Sequence, residues 1–145
     1  MVYGRVLLVV DLTDDSLAIG RRAQALAAAL GAEIELLHVV EFVPIEPMGE
    51  TLMPSVQIEE ELIERAKQRL RSLATQLGLA DCSCRVASGN VKTEIVRAAR
   101  DRRADLIVLG SRERHGLSVL VNLTEDAVLH AAPCDVLAMR AGSRT

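Results

Sequence analysis

The chain has 145 residues, of which 50% are hydrophobic and 26% are charged, and its formal net charge is −3. This length predicts one domain with a single sizeable core, and the hydrophobic content argues against disorder. An aromatic content of 1% and mixed charges exclude a general nucleic-acid surface, which needs a basic face and stacking rings. No stretch approaches the roughly 20 apolar residues of a membrane span, and the N-terminus shows no signal-peptide pattern. The sequence therefore predicts a cytoplasmic protein without membrane or nucleic-acid partners.

The three cysteines, Cys82, Cys84 and Cys134, are too few and too odd in number for a disulfide framework. Cys82 and Cys84 are two residues apart in a strand-like segment, so we expect their side chains on one face. A metal site would need further ligands, and the chain offers no nearby His or Cys pair with a suitable spacing. We interpret the cysteines as buried, inert thiols and expect no bound metal.

The first part of the chain predicts two strands with a helix between them. Residues 5–11 form a continuous apolar segment that ends in a carboxylate, typical of a strand covered on both faces. Residues 12–16 are rich in N-cap side chains, and the apolar spacing that follows predicts a helix over residues 17–30. Residues 33–40 form the second predicted strand, in which we interpret His38 as a hydrogen-bonded core residue rather than a catalyst.

Three prolines and a glycine interrupt residues 41–55, so neither helix nor strand should persist there. This connection is long for a compact domain, and both a flap or partner surface and a flexible loop fit it. The longest predicted helix runs from Ser55 to about Leu77, with acidic residues ahead of basic ones, as the helix dipole favours. Its charged side is interpreted as a solvated face. Its predicted buried stripe is Ile58, Leu62, Ala66, Leu70, Leu73 and Leu77.

The second half of the chain continues the alternation of strands and helices. The predicted strands are Cys82–Ser88, Ala104–Leu109 with a turn at Gly110, and Val136–Met139, followed by a tail of residues 141–145. One predicted helix follows Gly89-Asn90, and another runs from Asn122 to Ala131. The residues expected to face inward on these helices are Val91, Ile95, Ala98, Ala99, Val128 and Leu129.

This alternation predicts a fold of the α/β class. Strands and helices that follow one another in turn form a parallel sheet with right-handed crossovers and helices on both faces. The expected architecture is a three-layer sandwich with about four helices. The absence of an internal repeat or a composition break indicates a single domain spanning residues 1–145.

Several segments together resemble the universal stress protein family along essentially the whole chain. They are VLLVVDLTDDS near the start, HVV at the second strand, ADLIVLGSRERHGL, and AVLHAAPCDVLAMR. The resemblance implies an adenine-nucleotide alpha-hydrolase-like fold, with five parallel strands in the order 3-2-1-4-5. It also implies a homodimer formed through the fifth strand, which maps here to Cys134, Asp135, Val136, Leu137, Ala138 and Met139.

The strand order implied by this resemblance places a ligand between the loops that follow the first and fourth strands. The nucleotide-binding branch of the family carries Gly, two residues, Gly, about nine residues, then Gly followed by Ser or Thr, which cradles phosphates at a helix N-terminus. Asp11 matches the family aspartate near the ribose, Val40 matches the residue against the base, and Gly110 matches the first glycine. The candidate nucleotide cleft comprises Asp11, Leu12, Val40, Gly110, Arg112, Glu113, Gly116, Asn122, Leu123 and Thr124.

The remaining positions of the pattern differ from the family. Glu113 stands in place of the second glycine, and Asn122-Leu123 stand in place of the final Gly-Ser after a slightly shortened spacer. Asn122 and Glu125 resemble a capping box that would satisfy the free N–H groups of the helix from within. Glu125 and Asp126 also place carboxylates where the helix dipole would otherwise favour phosphate.

Positive charge in the same loop favours a different interpretation. Arg112, Arg114 and His115 could replace the lost glycine contacts with a side-chain phosphate clamp. They also fit a solvent-exposed basic loop that balances neighbouring acids, and surface charge statistics favour this second interpretation.

Two functional hypotheses follow from the resemblance. The first is a homodimeric universal stress protein that does not bind ATP strongly and acts through protein partners. The second is a nucleotide-binding stress protein with an altered loop, with ATP or AMP as ligand and at most slow ATP hydrolysis. The chain contains no GxSxG, GxxxxGK[ST] or GxGxxG motif and no assembled nucleophile triad, so we expect no enzyme. A two-component receiver domain is rejected because Ser88-Gly89 and Arg140-Ala141 occupy the places of its acceptor aspartate and lysine.

Overall fold

The computed structural model describes residues 3–41, 53–111 and 126–140. In chain order the elements are β1 (Arg5–Val9), α1 (Ser16–Leu30), β2 (Glu33–Val40), α2 (Met53–Gln76), β3 (Cys84–Ser88), α3 (Val91–Asp101), β4 (Leu106–Ser111), α4, of which residues 126–131 are described, and β5 (Asp135–Arg140). Among the described helices, none is long and apolar enough to cross a membrane.

The five strands form one parallel sheet in the order β3-β2-β1-β4-β5, as expected. At its centre Leu8 of β1 pairs in register with Leu36 of β2 and Val108 of β4. All three side chains are buried, as parallel strands covered on both faces require. Because β1 lies between β2 and β4, the chain changes direction across the sheet at the boundary of β1 and β4.

Two hydrophobic cores lie on opposite faces of the sheet, which confirms the predicted three-layer sandwich. On one face, α1 and α2 contribute residues such as Ala23 and Leu70 to the larger core. On the other face, Ile95 of α3 and Val128 of α4 pack against alternate residues of the same strands.

Several strand boundaries differ from the prediction. The first strand ends at Val9 rather than Asp11, and β3 begins at Cys84 rather than Cys82, but both thiols pack against the larger core, as their predicted common face requires. Gly110 was expected to form a turn, but it lies within β4 and pairs in register with Met139 of β5. The fourth strand continues to Ser111 because β5 extends beyond the predicted Met139 and pairs with β4 up to Arg140.

The buried stripe predicted for α2 is correct only in its second part. Ala66, Leu70, Leu73 and Leu77 are buried, whereas Ile58 is 51% exposed and Leu62 is 38% exposed. The helix also begins at Met53, inside the segment predicted as a loop, because Pro54 is tolerated in a first helical turn. A helix of 24 residues is longer than the sheet it covers, and its first part therefore packs less completely. The rest of the predicted loop, residues 42–52, lies outside the described residues, as does the tail.

Two further side-chain predictions have opposite outcomes. His38 is half-buried and its Nδ1 lies 2.7 Å from the carbonyl oxygen of Val10, which confirms a hydrogen-bonded core histidine. Leu129 was expected to face inward but is 57% exposed. Its neighbour Val128 occupies the inward position on α4, and the next residue of a helix points about 100° away.

Candidate functional site

The candidate site lies at the carboxyl ends of β1 and β4, the two strands between which the sheet order reverses. Val9 pairs in register with Leu109. Beyond this pair the chain leaves β1 at Val10, whereas β4 continues through Gly110 to Ser111 beside β5. Asp11 of the expected nucleotide pattern therefore follows β1, and Gly110 lies near the carboxyl end of β4 at the same edge of the sheet. The sheet therefore places both where open α/β proteins bind ligands.

The carboxylate of Asp11 organises the turn between β1 and α1. Its Oδ1 accepts hydrogen bonds from the Thr13 amide at 3.1 Å, the Thr13 hydroxyl at 2.7 Å and the Ser16 hydroxyl at 3.0 Å. Ser16 is a buried polar residue, so this acceptor offsets the cost of removing its hydroxyl from water. Asp15 occupies the cap position of α1, but its side chain makes no cap hydrogen bond. The predicted N-cap residues Thr13 and Ser16 instead donate to the carboxylate of Asp11.

Leu12 holds the centre of this turn in a left-handed conformation, with φ of 58°. That conformation costs a residue with a Cβ about 1–2 kcal/mol. Two contacts offset the cost: the Leu12 side chain is buried in the larger core, and its carbonyl oxygen accepts a hydrogen bond from Arg69 of α2. The charge pattern of α2 predicts a solvated face that includes Arg69, and the spacing of its apolar residues gives no signal for this contact.

Gly110 lies against the terminal methyl of an α1 side chain, which would have to shift if position 110 carried a Cβ. A Cβ atom built on Gly110 would lie 2.4 Å from Cδ1 of Ile19 in α1, and real side chains do not approach so closely. The glycine that matches the nucleotide pattern therefore has a structural role that needs no phosphate. Its presence alone is weak support for a nucleotide.

Val40 ends β2 beside the same edge of the sheet. It is buried in the larger core, and its carbonyl oxygen accepts a hydrogen bond from the Gly89 amide at 3.0 Å. Its register partner Ser88 donates a hydrogen bond to Oε1 of Glu59 on α2 at 2.9 Å. Glu59, like Arg69, is a polar α2 residue near this edge that sequence reasoning missed.

The remaining residues of the predicted cleft lie outside the described part of the chain. They are Arg112, Glu113, Gly116, Asn122, Leu123 and Thr124. Among the described residues no group of three or more His, Cys, Asp or Glu side chains is arranged to hold a metal ion.

Among the described strands, β5 pairs with β4 alone, so the predicted dimer surface lies at an outer edge of the sheet. Along β5, Met139 is buried whereas Leu137 is 37% exposed. Tyr3 donates a hydrogen bond of 2.7 Å to Oδ2 of Asp135, and this bond raises the pKa of the tyrosine hydroxyl. Burial raises the pKa of Cys134, whose thiol is partly covered at the start of this strand.

The chain resembles known proteins along nearly its full length. The model of the universal stress protein family matches residues 2–140. Universal stress protein A homolog 2 of Coxiella burnetii is 34% identical over 139 residues, which cover 95% of each chain. Homolog 1 of the same organism is 33% identical over 140 residues, covering 96% of this chain and 97% of that protein.

Solved structures show the same architecture. The crystal structure of a universal stress protein in complex with cAMP superposes with a TM-score of 0.72 at 23% identity, covering 98% of this chain and 100% of that one. At this identity the match shows a shared fold, and the bound cAMP belongs to that protein. The family match, the two relatives and the strand order show that this chain belongs to the universal stress protein family.

Proposed function

We propose that the protein is a cytoplasmic stress-response regulator that acts as a homodimer through protein contacts and binds ATP only weakly. The observation that carries this proposal is the engagement of Asp11 Oδ1 by three hydrogen bonds from its own turn. An oxygen that already accepts three hydrogen bonds is poorly suited to accept another, so a ribose hydroxyl would have to use Oδ2 of this carboxylate.

The fourth strand supports the same conclusion. Gly110 is explained by its contact with Ile19, so the pattern residues that the structure describes serve the packing of the chain itself. In the sequence beyond β4, Glu113 adds a negative charge where the pattern has glycine. A carboxylate beside a phosphate is repulsive, and this repulsion lowers affinity for ATP more than for ligands with less charge.

The edge position of β5 supports the homodimer. Among the described strands β5 lies at one end of the sheet, and an edge strand is a frequent site of pairing with a second copy of the same edge. Leu137 on β5 and Leu129 on α4 are large apolar side chains exposed at this side of the sheet, where they line a common groove. Burying them in a second protomer would stabilise the pair.

Nucleotide content tests the proposal directly. Protein purified without added nucleotide is denatured, and the released small molecules are identified by mass spectrometry. The apo protein is then titrated calorimetrically with ATP, AMP and cAMP. We expect no stoichiometric nucleotide after purification and ATP dissociation constants of about 100 μM or weaker, or roughly 5.5 kcal/mol of binding free energy. Low-micromolar ATP binding would overturn the proposal.

A second candidate function is nucleotide binding through the altered loop, with Arg112, Arg114 and His115 as the phosphate contacts. The crystal structure of a family member with cAMP favours it. In the sequence, a full spacer of about nine residues after Glu113 aligns Leu123-Thr124 with the final pair and retains a hydroxyl at Thr124. This candidate predicts that Arg114→Ala weakens cAMP or AMP binding, with Arg103→Ala as a control distant from the loop. Equal binding by both variants would reject the clamp.

A further inference from the structure

Asp11 is flanked by two backbone carbonyls, each held by a side chain from a different element. The carbonyl oxygen of Val10 contacts Nδ1 of His38 at 2.7 Å. The carbonyl oxygen of Leu12 accepts a hydrogen bond from the guanidinium of Arg69. Both side chains come from the side of the sheet that packs against the larger core.

These contacts are more than incidental because the backbone between them is strained. Leu12 has a φ of 58°, which side chains with a Cβ adopt only when their surroundings compensate. Arg69 compensates with a charge-assisted hydrogen bond, which is stronger than a bond between neutral groups. Because Arg69 itself is exposed, solvent screens part of this gain, and the burial of the Leu12 side chain supplies the rest.

The chemistry of His38 is also defined by this geometry. A carbonyl oxygen only accepts hydrogen bonds, so Nδ1 of His38 must carry the proton in this contact. The Val10 amide donates in turn to the carbonyl oxygen of Leu37 at 2.9 Å, so both polar backbone groups of Val10 are fixed by β2. The residue before Asp11 is therefore held by the sheet, and the residue after it by α2.

We infer that Arg69 and His38 are positioning residues that set the conformation of the turn carrying Asp11 at the ligand edge of the sheet. Neither is proposed to touch a ligand. The inference rests on the proposed function only in taking this turn as part of the cleft. It adds that α2 controls the cleft: movement of Arg69 away from Leu12 releases the strained turn and changes the geometry presented by Asp11.

Amide hydrogen exchange in nucleotide-free protein tests the positioning role, because the Thr13 amide is bonded to Asp11. Arg69→Met retains most of the stem and removes the donors. Lys67→Met is the matched control, since it removes one exposed positive charge from the same helix. We expect exchange at Thr13 to accelerate about tenfold in the Arg69 variant, the scale of one lost hydrogen bond to a charged group. The Gly89 amide, bonded to Val40, should keep its rate.

Conservative variants separate positioning from general damage. Arg69→Lys keeps a cationic donor and should restore part of the Thr13 protection. His38→Asn keeps a donor near the Nδ1 position, whereas His38→Leu does not, so only the leucine variant should accelerate exchange at Thr13. Unchanged exchange at Thr13 in both Arg69→Met and His38→Leu would overturn the inference. So would equal acceleration at Thr13 and Gly89, because that pattern reports general unfolding.

A cAMP titration of the same variants links the turn to the cleft. If the parent protein binds cAMP, we expect Arg69→Met to weaken binding at least about fivefold relative to Lys67→Met. Equal affinities of these two variants would overturn the control of the cleft by α2. Absence of cAMP binding by the parent protein would count against the second candidate function, nucleotide binding, and also against that control. The exchange rates would still decide whether Arg69 and His38 position the turn.

Discussion

Gly110 of β4 and Ile19 of α1 are in such close contact that a Cβ atom at position 110 would lie 2.4 Å from Ile19 Cδ1. This contact packs the first helix against the strand that leads to the candidate cleft. It separates two explanations of the same glycine, close approach of a phosphate and close approach of a helix. The structure provides direct support for the second.

The contact predicts that Gly110→Ala destabilises the fold by about 1–3 kcal/mol through overpacking. Ile19→Val removes Cδ1 and should itself cost about 0.5–1.5 kcal/mol. Because Cδ1 is the clashing atom, the double variant should be clearly more stable than the sum of the single changes implies. Urea unfolding of all four proteins gives the coupling free energy. Simple additivity would show that Gly110 is not constrained by Ile19.

Replacement of Asp11 should lower stability even without a ligand, because its carboxylate holds the turn between β1 and α1. Asp11→Ala leaves the buried Ser16 hydroxyl without its carboxylate acceptor and should destabilise the protein by about 1–3 kcal/mol. Asp11→Asn keeps Oδ1 and should recover more than half of this loss. Urea midpoints without nucleotide measure both effects. Equal stabilities of the alanine variant and the parent protein would contradict the assigned hydrogen bonds.

The N-terminus of α3 carries a side-chain cap. Oδ1 of Asn90 accepts hydrogen bonds from the Thr93 amide and hydroxyl, both at 3.0 Å. Asn90→Ala should therefore destabilise the protein by about 0.5–2 kcal/mol, whereas Asn90→Asp should be nearly neutral because it keeps the acceptor. Lys92→Ala on the exposed side of the same turn is the control for helix propensity. Thermal unfolding of the three variants checks the order, and a loss at Lys92 equal to that at Asn90 would contradict the cap.

The layers could be predicted because strands and helices alternate along the sequence, whereas the strand order was implied by the resemblance to the universal stress protein family. Residues 33–40 are apolar on both faces and form β2 with the predicted boundaries. Apolar periodicity also identified the helices. It failed at Ile58 and Leu62 because periodicity shows which side of a helix is apolar but not where the sheet beneath it ends.

The details of the candidate site could not be predicted because they depend on contacts between residues distant in sequence. Arg69 meets Leu12 across 57 residues, and its identity as a surface arginine gave no indication of that contact. Gly110 was expected to turn the chain after the fourth strand, but it continues β4 and pairs with Met139. A glycine fits this position because the Ile19 side chain of α1 lies close to it, and the sequence alone does not show this contact.

The three thiols predict a loss of stability at alkaline pH. Burial is the main cause that raises the pKa of Cys82, Cys84 and Cys134 above its ordinary value of 9.0. In the folded protein the thiols stay protonated while those of the unfolded chain ionise. Their contribution to stability is therefore complete below pH 9 and is lost as the pH rises through the folded-state pKa values.

Urea midpoints between pH 7.5 and 10, measured under reducing conditions, check this dependence. A variant with all three cysteines replaced by alanine is the control, and its midpoint should fall less steeply above pH 9. Alkylation by iodoacetamide at pH 8 gives a second measurement, because thiols react as thiolates. The native protein should react more slowly than the protein unfolded in urea. Equal rates would contradict the raised pKa values.

The exposed edge of β5 yields the last prediction, the disruption of a homodimer by one charge. Leu137 on β5 is 37% exposed and Leu62 on α2 is 38% exposed, so the same substitution can be compared at two equally exposed leucines. A lysine in a buried edge-to-edge interface must lose water without gaining a partner, whereas the same lysine on a free helix stays solvated. If the proposed homodimer forms, Leu137→Lys should therefore convert it to monomer at micromolar concentration, and Leu62→Lys should leave it intact. Sedimentation velocity with light scattering distinguishes the species. A dimer that survives Leu137→Lys but dissociates with Leu62→Lys would move the interface from the sheet edge to α2.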